Sequence, residues 1–247
     1  MMKENEMIFG IRAIIEAIES DKEIDKIILK KDLQSELSHE LFEVLRSHPL
    51  IQVQRVPLER INKYTRKNHQ GAIAFISSTH YQRVEDLVQN IFEEGKDPFF
   101  IILDGVTDVR NFGAIARTCE CAGVDAVVIP FRGSVSVGAD AIKTSAGALH
   151  TLPVCKEKNL VQTVKYLKAS GVRVVAATEK GDKVYTDTNL TGPLAIVMGA
   201  EDTGVSPEII RLCDDLVKIP INGKISSLNV SVAAGVMIYE SIRQRQK

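Results

Sequence analysis

Hydrophobic positions along this chain follow two periods that alternate repeatedly. From Gly10 to Ile18 the residues Ile11, Ile14, Ile15 and Ile18 recur at helical spacing, and Ile24 to Leu29 is a β-branched run that predicts a short strand. Asp32 to Arg46 reads as a second amphipathic helix, with Leu33, Leu37, Leu41, Val44 and Leu45 on one face. A strand over Ile51–Val56, a short helix over Leu58–Tyr64 and a strand over Ala72–Ile76 complete a small α/β unit. Ser77-Ser78-Thr79-His80 breaks the pattern, and a helix over Glu85–Glu94 leads to a turn at Gly95-Lys96-Asp97-Pro98. The expected organisation is a first domain over 1–78, a linker over 79–97 and a second domain over 98–247.

The second domain opens with the continuous apolar run Phe99–Leu103, the mark of a parallel strand buried on both faces. A polar loop follows, then a helix with Asn111 as its expected N-cap and Gly123 at its end. Strands over Ala126–Ile129, Arg173–Ala177, Leu194–Met198 and Val217–Pro220 alternate with helices from Ala139, over Leu160–Ala169 and from Val230 to about Ile242. That alternation predicts a parallel, doubly wound sheet. Ligands collect at the C-terminal edges of such strands, where helix N-termini offer free N–H groups. Two polar stretches stand at such edges: Gly199-Ala200-Glu201-Asp202-Thr203-Gly204 and Ser226-Ser227-Leu228-Asn229. Ser226, Ser227 and Asn229 are equally good helix caps, and the glycines of the first stretch suit an ordinary turn.

Composition narrows the picture mainly by exclusion. With 247 residues and a formal net charge of −1, no bulk attraction to nucleic acid is indicated. Cys119, Cys121, Cys155 and Cys213 contain no C-x-x-C pair, so they read as small buried hydrophobes in a reducing compartment, and no metal site is expected. No run is apolar enough to span a bilayer, so a soluble, cytoplasmic protein without membrane partners is expected. No G-x-G-x-x-G follows the first strand of the second domain, which disfavours a dinucleotide oxidoreductase. One basic loop, Lys63-Tyr64-Thr65-Arg66-Lys67-Asn68-His69, has the chemistry to hold RNA phosphates while Tyr64 stacks on a base; solvated surface is the plainer reading.

Three blocks stand in fixed order: Asn111-x-Gly113 with Arg117, then Gly199-x-Glu201-x-x-Gly204, then Ile219-Pro220 through Ser227-Leu228-Asn229-Val230-Ser231-Val232-Ala233 to Tyr239-Glu240. Together they resemble the three motifs of the SpoU branch of the SPOUT RNA 2′-O-ribose methyltransferases. The first domain is similar to that family's small α/β RNA-substrate-binding domain. The resemblance implies a parallel-sheet SPOUT domain with a C-terminal trefoil knot, which no periodicity shows, and a homodimer. It implies S-adenosylmethionine as cofactor, bound around Gly199, Ile219 and Leu228. It implies RNA as substrate, a guanosine of 23S rRNA first and tRNA as the alternative, with a non-catalytic RNA-binding module of the same fold as the rival.

For the chemistry, the resemblance places Arg117 nearest the reacting hydroxyl and Glu201 beside Arg117. Asn111 is then expected to orient the ribose or Arg117, and Ser227 and Asn229 to position the nucleotide and Glu201 by hydrogen bonds. Phosphate contacts are expected from Lys63, Arg66, Lys67 and Arg132, with Lys143 as a further candidate. Two departures from the family pattern bear on which RNA is chosen: Asp202 stands where relatives often carry a neutral residue, and Arg132-Gly133-Ser134 is less basic than in some relatives.

Overall fold

A computed structural model describes residues 7–48, 51–77 and 79–246. Ser78 and the outer ends of the two expected domains, residues 1 and 247, lie outside the described residues. The chain divides into two compact units: the first runs to His80 and takes in Ser136–Ala139, and the second holds the remainder.

The first unit contains β1 (Met7–Phe9), α1 (Ile11–Glu19), β2 (Ile24–Lys30), α2 (Glu36–Ser47), β3 (Gln52–Val56), α3 (Leu58–Ile61) and β4 (Ala72–Ile76). Its sheet has the order β1-β4-β2-β3, with β2 and β3 parallel and the other two pairs antiparallel. The apolar stripe of α1 packs with Ile27, Leu29, Leu41, Ala72 and Ala74 on one face. Ile28, Val56, Ile61, Ile73 and Phe75 fill the other. Helix α2 begins four residues later than its apolar spacing suggests. Ser35 and Ser38 exchange hydrogen bonds there, Ser38 N–H to Ser35 Oγ at 3.1 Å and Ser35 N–H to Ser38 Oγ at 2.8 Å, and this capping box fixes the start.

The second unit contains β5 (Tyr81–Gln82), α4 (Val84–Glu93), β6 (Phe99–Asp104), α5 (Val109–Ala122), β7 (Ala126–Pro130), α6 (Ala139–Thr144), β8 (Val154–Glu157), α7 (Leu160–Ala169), β9 (Arg173–Ala177), β10 (Lys183–Val184), β11 (Leu194–Gly199), α8 (Pro207–Ile210), β12 (Asp215–Lys218) and α9 (Val230–Arg245). Its eight strands run parallel in the order β10-β12-β9-β11-β6-β7-β8-β5. Alternate residues face opposite layers. Phe100, Ile102, Val128, Ala176 and Val197 meet α4, α7 and α8, and each large aliphatic side chain buried there stabilises the fold by roughly 1.5–3 kcal/mol. On the other layer α5 and α9 pack together.

The stretch 79–97, expected as a linker, is instead part of this unit from Tyr81 onward. β5 pairs with β8, and Val84, Val88 and Ile91 of α4 are buried in the second core at spacings of four and three residues. The cysteine expectation holds for Cys119 and Cys155, whose thiols are pushed up by burial, and fails for Cys121, which is exposed on α5. Among the described residues no helix is long and apolar enough to cross a membrane.

Candidate active site

The C-terminal ends of β9, β11 and β12 enclose a cavity of about 460 Å³. Its walls are residues 177–180, 198–204, Ile219, Ile221, 226–228, Val230 and Ala233, so it mixes apolar residues such as Met198, Ile219 and Leu228 with polar ones such as Thr178, Glu201 and Ser227. The turn after β11 folds back on its own strand: Gly204 N–H donates to Ala200 O at 2.9 Å. Gly199 permits this, because a Cβ there would stand 2.1 Å from the carbonyl carbon of Gly204 and 2.2 Å from the nitrogen of Val205. Gly204, at φ 67°, takes the left-handed conformation that closes the turn.

Beside the cavity, three side chains from distant parts of the chain form one hydrogen-bonded group. Glu201 Oε1 accepts from Asn111 Nδ2 at 3.1 Å, from Asn229 Nδ2 at 2.5 Å and from Val230 N–H at 3.5 Å. Asn229 Nδ2 also donates to Asn111 Oδ1 at 2.9 Å. The carboxylate therefore sits at the first turn of α9, where a helix N-terminus favours negative charge. Asn229 caps α9, its Oδ1 accepting from Ser231 N–H at 3.0 Å. Asn111 is not the cap of α5. Asp108 takes that place, Oδ1 accepting from Arg110 N–H at 2.8 Å and Asn111 N–H at 2.9 Å, and Asn111's side chain is thereby left for Glu201. Helix α5 is held close to α6 by a second glycine. A Cβ on Gly113 would lie 2.1 Å from Thr144 Oγ1, and that hydroxyl lies 3.2 Å from Val109 O in the first turn of α5.

Of the residues expected around the cofactor, Gly199, Ile219 and Leu228 all line the cavity, as do Ser227 and Glu201. Ser227 makes no hydrogen bond to Glu201 among the described residues, because the loop 220–229 is exposed throughout and Asn229 and Asn111 occupy the carboxylate. Arg117 makes no ion pair with Glu201 among the described residues either. It is exposed, makes no hydrogen bond or ion pair among the described residues and does not line the cavity. Six helical residues turn about 600°, so Arg117 is rotated roughly 120° away from Asn111. Thr178, Glu179 and Lys180 line the cavity without having been singled out from the sequence. Their signal was present: a polar Thr-Glu-Lys-Gly-Asp run directly after strand β9.

In the first unit Lys63 and Arg66 are exposed, and the Lys67 ammonium lies 5.5 Å from the centroid of the Phe9 ring. Tyr64, 38% exposed, makes a T-shaped contact with Phe75, 5.4 Å between ring centroids. In the second unit Arg132 and Lys143 are exposed.

Comparison with known proteins adds an independent line. A family described as the SpoU rRNA Methylase family matches residues 98–239, and one described as RNA 2′-O ribose methyltransferase substrate binding matches residues 7–82. The chain is 38% identical over 244 residues to the 23S rRNA (guanosine-2′-O-)-methyltransferase RlmB of Vibrio cholerae, covering 98% of each. Its fold is similar to that of the SpoU methyltransferase AviRb from Streptomyces viridochromogenes, solved in complex with AdoMet, at a TM-score of 0.61 and 21% identity over 96% of this chain and 89% of that one. A TrmH/SpoU tRNA modifying enzyme from A. aeolicus aligns at a TM-score of 0.55 and 30% identity, covering 66% of this chain and 84% of that one.

Proposed function

We infer the function from one premise: this chain belongs to the SpoU rRNA methylase family. It transfers a methyl group from S-adenosylmethionine to a ribose 2′-hydroxyl of RNA, and a guanosine of 23S rRNA is the substrate we propose. The observation that carries this reading is the meeting of Asn111, Glu201 and Asn229 in one hydrogen-bonded group beside the cavity, since each comes from a different block of the sequence.

The cavity suits the cofactor. Its volume falls in the range of about 300–1,000 Å³ common to small-molecule sites. Met198, Ile219 and Leu228 offer apolar faces to an adenine, and Gly199 lets a ligand approach the backbone. S-adenosylmethionine supplies, when bound, a methyl group activated by a positively charged sulfur. The remaining tasks fall to the chain: holding the ribose in line, and stabilising its oxygen as the proton leaves.

Arg117 is the residue we assign to the oxygen. A guanidinium keeps its charge, so its part is to bind the neighbouring phosphate and stabilise the developing alkoxide rather than to remove the proton. Since Arg117 does not line the cavity of its own chain, the assignment calls for a homodimer in which Arg117 of one protomer serves its partner's site. Val232, Val236 and Tyr239, at spacings of four and three on α9, support this reading, because Val232 and Tyr239 are 52% and 53% exposed. The trefoil knot belongs to the same reading. It is supported by β12 lying between the earlier strands β9 and β10, and by Gly181, where a Cβ would stand 2.6 Å from the carbonyl carbon of Val217. The first domain then holds RNA through Lys63, Arg66 and Lys67, with Arg132 and Lys143 adding phosphate contacts from the second, and the protein works in the cytoplasm on ribosomal RNA.

The test is transfer of labelled methyl from S-adenosylmethionine to unmodified 23S rRNA, beside unmodified tRNA, with the modified ribose mapped by resistance to alkaline cleavage. Label at one guanosine of 23S rRNA, lost in Arg117→Ala and Asn229→Ala, is the expected result. Label in tRNA alone moves the substrate to the class of the A. aeolicus relative. No label in either RNA, from folded protein that binds RNA, overturns the enzymatic reading.

A further inference from the structure

The hydrogen bonds around Asn229 have a direction, and Ser231 sets it. An asparagine amide can be turned end for end, and its orientation is decided by its partners. Here both ends are decided. Asn229 Oδ1 faces the backbone N–H of Ser231, which can only donate, at 3.0 Å, and Nδ2 faces the carboxylate of Glu201 at 2.5 Å. The Ser231 hydroxyl adds a second donor to the same Oδ1 at 2.5 Å. With both lone pairs of Oδ1 taken, the NH₂ of Asn229 is committed to Asn111 Oδ1 and Glu201 Oε1. Asn111 Nδ2 converges on the same oxygen at 3.1 Å. Glu201 thus has one oxygen held by two amides, while Oε2 carries no hydrogen bond among the described residues.

We propose that Ser231 is a positioning residue: its hydroxyl locks the Asn229 amide, and through it the Glu201 carboxylate, in the orientation presented to the cavity. The inference rests on the methyltransferase reading. Ser231 does not line the cavity, so it acts on the site through Asn229. Capping α9 does not require the hydroxyl, because the backbone N–H of Ser231 already supplies the capping bond. The side chain is therefore separable from the helix it sits on.

Ser231→Ala keeps the capping N–H and removes the second donor. With RNA and S-adenosylmethionine saturating, kcat falls about five- to tenfold, the loss expected for one hydrogen bond in a positioned group. The dissociation constant for S-adenosylmethionine and the thermal midpoint stay at wild-type values. Ser231→Thr, which restores a hydroxyl, recovers the rate. A readout independent of activity is the side-chain amide ¹H–¹⁵N pair of Asn229, identified by its loss in Asn229→Ser: it moves and broadens in Ser231→Ala and returns in Ser231→Thr. A wild-type rate in Ser231→Ala, or an unmoved Asn229 amide signal, overturns the inference while leaving the enzyme class intact. A wild-type protein inactive on every RNA tested removes the reading on which both depend.

Discussion

Asn229 performs two tasks with opposite ends of one amide: its oxygen caps α9 and its nitrogen holds Glu201. The tasks can be separated. Asn229→Ala loses both, and stability should fall by about 1 kcal/mol in urea unfolding, the usual cost of losing a cap. Asn229→Ser keeps a capping oxygen, so its unfolding curve should overlay that of the wild type, yet its methyl transfer should fall roughly 10²-fold, as for a misplaced catalytic group. Equal activity losses with unequal stability losses would separate the tasks. Sequence pattern offered Ser226, Ser227 and Asn229 alike as caps before the apolar helix, and the folded chain uses Asn229. The pattern misassigned Asn111, because Asp108 three residues earlier caps equally well and only the folded chain chooses between them. Glu201 was legible as a carboxylate in a turn. Its partners, 90 and 28 residues away, leave no mark in the local pattern: the family resemblance placed Asn229 on it, and Asn111 was missed.

At the scale of elements, the turn after β11 rests on one position. Gly199→Ala places a Cβ 2.1 Å from backbone that cannot rotate aside. The variant should lose about 1–3 kcal/mol of stability, as for other overpacked sites, and should no longer bind S-adenosylmethionine in a calorimetric titration. A variant that binds normally would show that the turn is not part of the cofactor site. Long elements with clear periods were legible: β6, α7 and β11 fall within a residue of their expected limits. Strand β8 was not, because Lys156 interrupts its apolar run. That lysine is buried with its ammonium 4.8 Å from the Tyr81 ring and 5.6 Å from that of Phe131, an arrangement no period reveals. The two-residue strands β5 and β10 are too short to show a period at all. Helix α4 carried its apolar spacing openly, and it was the polar break before it that suggested a linker.

For the whole molecule, the late strand β12 is tied to the sheet by charge as well as by its ladder. Asp215, its side chain 7% exposed, pairs with Arg173 of β9 and with Lys183 of β10 at 2.6 Å. Burial alone would raise its pKa, but the hydrogen bonds and charges of Lys183 and Arg173 outweigh burial and hold the carboxyl below its ordinary value. A carboxyl depressed in the folded state contributes stability above its unfolded pKa and loses it as pH falls through the folded one. Asp215→Asn should therefore be less stable than wild type in urea at pH 7. The gap should narrow steadily below about pH 4, and a gap independent of pH would remove the ion pairs as its cause.

The sheet order also carries a consequence for how the protein is made. β12 is synthesised after β9, β10 and β11, yet it lies between β9 and β10. The Glu201 cluster gains Asn229 later still, and Asn229 gains its lock only with Ser231. Domains emerging first fold first during synthesis. A chain made only as far as residue 228 therefore has every strand and helix of its first unit, while the Glu201 cluster still lacks Asn229.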